Sequence, residues 1–566
     1  MPAGRPRDAG PGAGDHRGRA VSGRARLDDA LSRIAAAPAN VWIDRRDGAD
    51  VAARAAAAAA AGPLAGWLAA VKGNIDVAGL PTTAACPAFA YAPARDAPCV
   101  GRLEAAGAVV VGTTNMDQFA TGLVGTRTPH GPLESVPAPG FIAGGSSSGS
   151  AVAVAAGLVD VALGTDTAGS GRVPAAMNGI VGLKPTQALV TREGVVPACR
   201  SLDCVSVFAR TVDEAWRALG AIADPGAPPC PVPAAASAAP RVGVPAADRL
   251  EWYGDHEAAA LFADAVDGLR RDGARIVEVD VGPFLETARL LYEGPWVAER
   301  YAAVGDFIEA HPDDVHPVVR DVVLAARGIG AADAFRGRYR LDQLRAETAA
   351  RWAEMDVMAL PTTPIAPTLA ETLADPNGVH ARLGTYTNFV NLLDLCAVSV
   401  PAGARGSGAP FGLQLVAPAF GDALVCHVGR RAAVAAADRS IALAVVGAHL
   451  SGQPLNHQLT SRGARLEART TTAADYRLYR LPDTTPPKPG LVRAPGGGSA
   501  IEVEVWRLDA AAFGAFCREV PPPLGIGNVA LADGAVVKGF ICEPWALGGA
   551  EDITRFGGWR RYLGGS

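Results

Sequence analysis

Aromatic residues are scarce in this 566-residue chain, at 6%, while hydrophobic residues reach 49% and glycines number 66. Small apolar side chains must therefore build the core. That suits helices packed closely on a sheet and excludes an overall disordered chain. Charge is nearly balanced, at −5 from 52 basic and 57 acidic residues, so neither nucleic acid nor a membrane surface is expected as a partner. Long apolar runs are missing too: Ala55–Ala61 and Ala151–Leu163 are too short or too interrupted to span a bilayer. The nine cysteines include no CxxC pair, and Cys199 and Cys204 are the closest two. Metal-site spacing is thereby excluded, and scattered thiols in odd number fit a reducing cytoplasm better than a disulfide framework. Arg5, Arg7, Arg17 and Arg19 have no apolar stretch behind them, so the N-terminus is not read as a secretory signal. Residues 1–25 read as a disordered tail.

What is present alternates in period. Leu27, Leu31 and Ile34 share one helical face, and an Ala-rich helix follows. The runs 108–112, 159–163 and 355–360 read as buried strands separated by helices, which predicts an α/β fold with a mixed sheet covered by helices. Pro225–Pro240 reads as a surface insertion, followed by a fresh strand at Arg241–Val244. A second proline-rich joint spans Leu459–Pro495. Beyond it, Ile501–Leu508 alternates like a half-exposed strand, and Asp533-Gly534 marks a hairpin between 529–531 and 536–541. Two domains are expected, 26–445 and a small β-rich α+β domain within 446–566.

The segment Gly144-Gly-Ser-Ser-Ser-Gly-Ser150, with Gly164-Thr-Asp-Thr-Ala-Gly-Ser-Gly-Arg172 after it, concentrates the small residues. Taken alone it fits a linker, a phosphate cradle or a site where backbone approaches another group closely. A linker is disfavoured because the loop runs into an Ala/Val helix. A Walker-type loop lacks its lysine, since Ser150 and Ala151 stand there.

These two segments, with Ala70-Val-Lys-Gly-Asn-Ile-Asp76 upstream and Gly182-Leu-Lys-Pro-Thr186 downstream, resemble the amidase signature family in composition and order, over roughly residues 27 to 440. The resemblance implies amide hydrolysis by Ser170 as nucleophile, with Ser146, preceded by a cis peptide, as bridge and Lys72 as base. No cofactor or metal is implied. A serine hydroxyl needs a neighbour to take its proton. A lysine, ordinarily titrating near 10.4, serves only if burial lowers it towards the working pH. Backbone N–H groups of Thr167, Ala168 and Gly169 are assigned to an oxyanion hole, and Ser147 to the surrounding network and substrate side. Asp166, Arg172, Asn115 and Asp117 read as loop-holding residues. Many relatives carry Asp where this chain has Gly73, a difference expected to alter packing rather than chemistry.

Two further stretches resemble the allophanate hydrolase family within that signature. In Leu291-Tyr-Glu-Gly-Pro-Trp-Val-Ala-Glu-Arg-Tyr301, the resemblance assigns Tyr292 and Arg300 to a small anionic substrate. A planar guanidinium suits a carboxylate. Eight residues apart, the two are expected on one helix, about two turns apart and on similar faces. On residues alone Arg300 fits a surface ion pair better than a substrate-binding role. Ala448–Leu459, Pro487–Arg493, Ile501–Trp506, Pro523–Gly527 and Gly539–Glu543 resemble that family's junction and C-terminal domain. The family releases ammonia from allophanate, and its small domain is implicated in decarboxylating the product, in some relatives through a histidine. No histidine follows His457 here, and Asp475 stands before Tyr476 near the expected place. The second activity is therefore left open. Allophanate is expected as substrate, a homodimer as the assembly, and a separate urea carboxylase or an s-triazine route as the supplier. The alternatives are another small amide such as biuret or malonamate, a transamidosome component, and an inactive scaffold.

Overall fold

The short apolar runs converge on one eleven-stranded mixed sheet. In the computed structural model, which describes residues 23–58, 62–233, 238–437 and 440–564, its strands are β1 (Trp42–Arg45), β2 (Leu68–Lys72), β3 (Val109–Thr114), β4 (Val161–Asp166), β5 (Val181–Lys184), β6 (Cys204–Ala209), β7 (Arg241–Val244), β8 (Arg275–Glu278), β9 (Val357–Pro361), β10 (Cys396–Ala404) and β11 (Pro410–Ala417). Their spatial order is β1-β3-β2-β4-β6-β5-β10-β11-β9-β7-β8. β2 runs parallel to both β3 and β4, whereas β4 pairs antiparallel with β6. Every residue of β2, β3, β4, β6 and β11 is buried, as expected of strands covered on both faces.

The pleat divides these strands between two cores. Ala69 and Val71 join one apolar cluster with Leu103 and Leu219, while Leu68 and Ala70 join another with Ala151 and Val154. The helix Ser148–Ala155 contributes that second layer and is built only of Ser, Gly, Ala and Val. Small residues are required there: a Cβ on Gly149 would lie 2.5 Å from the Val41 carbonyl oxygen. The Gly/Ser loop is thus a helix entry docked on the sheet.

The first helix, Gly23–Ala36, opens inside the stretch read as tail, and residues 1–22 lie outside the described residues. β7 follows the 225–240 stretch at the expected position and extends the same sheet, so that stretch is an insertion within one domain. Residues 234–237 of it are not described.

The second domain begins earlier than the sequence suggests. β12 (Ser440–Val445), read as the end of the first domain, pairs with β16 (Glu502–Asp509) and β18 (Val536–Cys542). Leu443 and Val445 are fully buried in a separate core with Val503, Phe540 and Trp559, which is why β12 belongs there. The proline-rich joint is not a linker either. It holds β13 (Arg465–Thr471), β14 (Tyr476–Arg480) and β15 (Pro489–Arg493), because extended edge segments accept prolines that a helix would reject. The order β13-β16-β12-β18-β17 forms one sheet, with β17 at Leu524–Ala530; β15-β14-β19 forms a second, with β19 at Glu551–Asp552. β17 and β18 form the expected hairpin, and Gly534 takes φ +88° in its turn. Among the described residues no helix is long and apolar enough to cross a membrane.

Glu504 anchors this domain. Its buried carboxylate accepts from the Ser451 N–H (2.7 Å) and hydroxyl (2.9 Å), Arg560 (2.8 Å), Arg469 (3.1 Å) and the Trp506 indole (3.2 Å). Burial opposes its charge, but these donors outweigh burial and hold its pKa at about 2, below the ordinary 4.5. Its contribution to stability is complete above about pH 4.5 and is lost as pH falls towards 2. Glu504→Gln is expected to lower the denaturant midpoint of the small domain at pH 7 and to flatten its dependence on acid, measured by fluorescence unfolding at pH 7 and pH 3.

Candidate active site

Strand β2 ends by pushing Lys72 into the protein interior, where its side chain is inaccessible to solvent. Its Nζ donates to Ser146 Oγ at 2.7 Å and to Thr165 Oγ1 at 2.8 Å. Burial is the main influence on this amine and lowers its pKa from 10.5 to about 7. The charges of Asp117, Asp203 and Asp166 oppose that fall, and Arg300 adds to it. The parallel neighbour β4 supplies Thr165 one residue before its end, so two adjacent strands deliver the amine and its partner together.

Ser146 sits immediately before the docked helix, and the Gly145–Ser146 peptide is cis. Glycine is needed at 145 because a Cβ would fall 2.1 Å from Asp117 Oδ2 and 2.5 Å from the Gly125 nitrogen. The Ser147 hydroxyl donates to the Thr165 carbonyl at 3.2 Å, so Ser147 ties the loop to β4 and is placed in the network. The substrate contact assigned to it from the sequence is not what its bond serves.

Ser170 lies on the loop between β4 and the helix Val173–Asn178, and its hydroxyl donates to the Gly122 carbonyl at 3.4 Å. No hydrogen bond joins Ser146 to Ser170 among the described residues; catalytic hydrogen bonds commonly tighten only when substrate is bound. The loop is held by Asp166 and Arg172, both fully buried, whose two bonds measure 2.8 and 2.9 Å. Arg172 also reaches Gln414 (2.6 Å) and Asn391 (3.0 Å). Burial raises the Asp166 pKa, but Arg172 and the loop N–H groups reverse this, so its carboxyl stays below the ordinary range.

One oxyanion assignment needs correction. The Gly169 N–H is already committed to Asp166 Oδ1 at 2.9 Å, because the carboxylate that holds the loop takes it, and Gly171 donates to Oδ2 at 3.0 Å. Among the described residues the N–H groups of Thr167, Ala168 and Ser170 have no acceptor. Gly169 itself takes φ +131°, and a Cβ there would strike Thr387 at 2.5 Å.

Asn115 and Asp117 hold loops, as expected. Asn115 donates to the Asn40 and Gly131 carbonyls, and Asp117 accepts from the backbone of Gly125 and Arg127. Gly73 packs on Ile43, whose Cδ1 would lie 2.4 Å from an added Cβ, which accords with a packing role.

Tyr292 and Arg300 do meet, but not on one helix. Gly294-Pro295 separates Gly282–Glu293 from Trp296–Ala310, and the proline starts the second helix. Arg300 Nη2 donates to the Tyr292 hydroxyl at 3.3 Å, and the guanidinium carbon lies 5.5 Å from the centre of that ring. Its Nη1 donates to Thr121 Oγ1 at 3.2 Å. Arg300 is therefore a buried residue and not a surface ion pair.

Three functional groups had escaped sequence reading. Thr165 is the second partner of Lys72. Arg127 is buried and donates to the Thr121 and Pro376 carbonyls at 3.1 and 2.9 Å. Asp203 lies buried beneath the nucleophile loop, where it accepts from Thr167 at 2.5 Å; burial raises its pKa despite that bond. The side-chain partners of Arg127 and Arg300 are carbonyls, a hydroxyl, a phenol and an amide oxygen. None is a carboxylate. Nearby carboxylates (Asp117 for Arg127, Asp203 and Glu299 for Arg300) favour these charges from a distance, while neither guanidinium hydrogen-bonds a carboxylate directly, which leaves donor capacity that an anion can use. Among the described residues no group of three or more His, Cys, Asp and Glu side chains is placed to hold a metal.

The Amidase family matches residues 26–426, and the allophanate hydrolase C-terminal domain matches 441–564. A urea amidolyase of Saccharomyces cerevisiae is 43% identical over 542 residues, covering 88% of this chain and 30% of that protein. The chain thus spans about a third of the length of the urea amidolyases it matches. The solved allophanate hydrolase of Kluyveromyces lactis is 39% identical, with a TM-score of 0.70 over 96% of this chain and 97% of that one. A glutamyl-tRNA(Gln) amidotransferase component of Natronomonas pharaonis is 38% identical over 412 residues, covering 65% of this chain and 95% of its own.

Because the base must be uncharged to take a proton, kcat/KM is expected to fall as pH drops through about 7 and to level off above it. A flat profile between pH 6 and 8 contradicts the assignment of Lys72. Thr165→Val, which removes one of the two hydroxyls at Nζ, is expected to lower kcat/KM by about ten-fold or more, with Thr165→Ser retaining most activity.

Proposed function

The chain belongs to the amidase family, and on that premise we propose that it hydrolyses allophanate through Ser170, Ser146 and Lys72. The observation that carries the reading is the pairing of a buried amine with two hydroxyls, near two buried arginines whose side chains hydrogen-bond no carboxylate.

In this reading the uncharged Lys72 takes a proton from Ser146 as Ser146 takes one from Ser170. The Ser170 oxygen attacks the terminal carbonyl carbon, and its π pair moves to oxygen, where the N–H groups of Thr167, Ala168 and Ser170 stand without other acceptors. Each such donor is typically worth about 2.7–4 kcal/mol at the transition state. Collapse breaks the C–N bond, and the proton returns through Ser146 to the leaving nitrogen, releasing ammonia. Water then attacks the acyl-serine, giving up a proton by the same path, and N-carboxycarbamate leaves with Ser170 restored. Loss of two molecules of carbon dioxide from that dicarboxylate, with uptake of two protons from water, frees its nitrogen, so the net yield is two ammonia and two carbon dioxide per allophanate.

Tyr292 and Arg300 select the carboxylated end of the substrate. The second domain supports allophanate over the amidotransferase reaction, since the amidotransferase relative matches only 65% of the chain. In the small domain Asp475 is paired with Arg493 at 2.9 Å, and we assign no decarboxylating role to it. A urea carboxylase is the functional partner that supplies allophanate, a homodimer is the expected assembly, and the cytoplasm is the expected compartment.

The test is ammonia release from freshly prepared allophanate. Wild-type protein is expected to turn it over and Ser170→Ala to be inactive. Arg300→Ala is expected to lose about two orders of magnitude in kcat/KM on allophanate and much less on a neutral amide. Equal losses on both substrates overturn the carboxylate role, and cleavage of neutral amides alone overturns the substrate.

A further inference from the structure

The helix Pro376–Leu383 packs against the 121–127 segment through Arg127, and its buried face carries one polar ring that the mechanism leaves unused. His380 is buried, yet its side chain makes no hydrogen bond among the described residues, and Nε2 is sealed from solvent without a partner. Leaving such a group unpaired in the interior is costly, so a permanent orphan is unusual in a folded protein.

Its position ties it to the substrate-selecting pair. The ring stands edge-on to Tyr292, with centroids 4.7 Å apart and planes at 86°. Tyr292 in turn holds Arg300. Pro376 and Asn377, about one turn earlier on the same helix, accept from Arg127 at 2.9 and 3.4 Å. Arg127 and Arg300 both reach Thr121, the residue before the Gly122 that accepts from Ser170. His380, Tyr292, the two arginines and Ser170 are thus joined by a continuous chain of contacts through Thr121 and Gly122. Val379 and Leu383, flanking His380 on its helix, share an apolar cluster with Leu123, Val124 and Ala168 from the catalytic loops.

Burial first, then the charges of Arg127 and Arg300, hold the His380 pKa well below the ordinary histidine range. The ring is therefore uncharged at working pH, with one N–H and one lone pair to offer. An extra cation would only worsen the repulsion beside two arginines, whereas a single N–H donor completes a ring of donors around a small anion.

We infer that His380 is a substrate-positioning residue, whose imidazole hydrogen-bonds the carboxylated end of the substrate beside Tyr292 and Arg300. The inference rests on the allophanate reading and deepens it, because it assigns to the substrate the hydrogen bond that His380 finds nowhere within the described residues.

The experiment compares kcat and KM for allophanate and for biuret, which replaces the carboxylate by a neutral amide, in wild type, His380→Leu and His380→Gln. His380→Leu is expected to raise KM for allophanate about ten-fold while kcat changes by less than about two-fold and biuret is little affected. His380→Gln, which keeps a hydrogen-bond donor at similar reach, is expected to recover most of the loss. Equal changes on both amides, a fall in kcat at constant KM, or failure of glutamine to rescue would overturn the positioning role. Wild-type protein that leaves allophanate untouched overturns the function and this inference together. Wild-type activity with an unmoved KM in His380→Leu overturns the inference alone. Thermal unfolding of each variant identifies a folding defect, and glutamine then serves as the deciding variant.

Discussion

Everything at the centre of this molecule depends on keeping one lysine out of water without giving it a carboxylate. Lys72 is surrounded by sheet and helix, and its amine is met by two hydroxyls. Hydroxyls accept from an amine as well as donate to it, so they suit a group that must change protonation state. A carboxylate in contact would lock the charge in place. Lys184, equally buried on β5, donates instead to the Pro185 and Leu395 carbonyls, which accept but cannot return a proton. The two lysines show how acceptor type separates a base from a structural anchor.

The price of holding an uncharged amine is met by rigid surroundings. Asp166 and Arg172 form a closed pair under the nucleophile, and the same carboxylate gathers the Gly169 and Gly171 N–H groups. Asp117 does the same for the opposite loop through Gly125 and Arg127. Buried pairs of this kind contribute little net stability, but breaking one leaves a buried charge, so they fix geometry strongly. The small residues at 145, 149 and 169 follow from that fixation, since each faces an oxygen or nitrogen within 2.6 Å of where a Cβ would stand.

Much of this was legible in the sequence, for local reasons. β7 was placed to the residue, and β3, β4 and β9 within one to three residues, because continuous apolar runs of this length are diagnostic of covered strands. Lys72, Ser146 and Ser170 were marked by motif and are brought to one place. The misses share a cause: each depends on contacts far apart in the chain. β12 reads as part of the first domain until β16 and β18 flank it. Strands β13–β15 were hidden by prolines that argue against helix but not against edge strands. The helix break at Gly294-Pro295 did have a local signal, and spacing alone overrode it. Arg127 and His380 carry no motif, and they matter only because the 376–383 helix folds back over residues 121–127.

Two buried arginines that hydrogen-bond no carboxylate, a phenol and an unpaired imidazole cluster beside Thr121, next to the Gly122 carbonyl that accepts from Ser170. In the proposed reaction that cluster orients a small substrate carrying one carboxylate and one amide, and orientation alone removes much of the entropic barrier to attack. Orientation is useful, however, only if the base is uncharged when the substrate arrives. The chain contains four lysines, so 15N-lysine labelling resolves each Nζ by NMR across a pH titration. The account predicts one resonance titrating near 7 that vanishes in Lys72→Met. Four resonances all titrating near the ordinary lysine value of about 10.4 would contradict it.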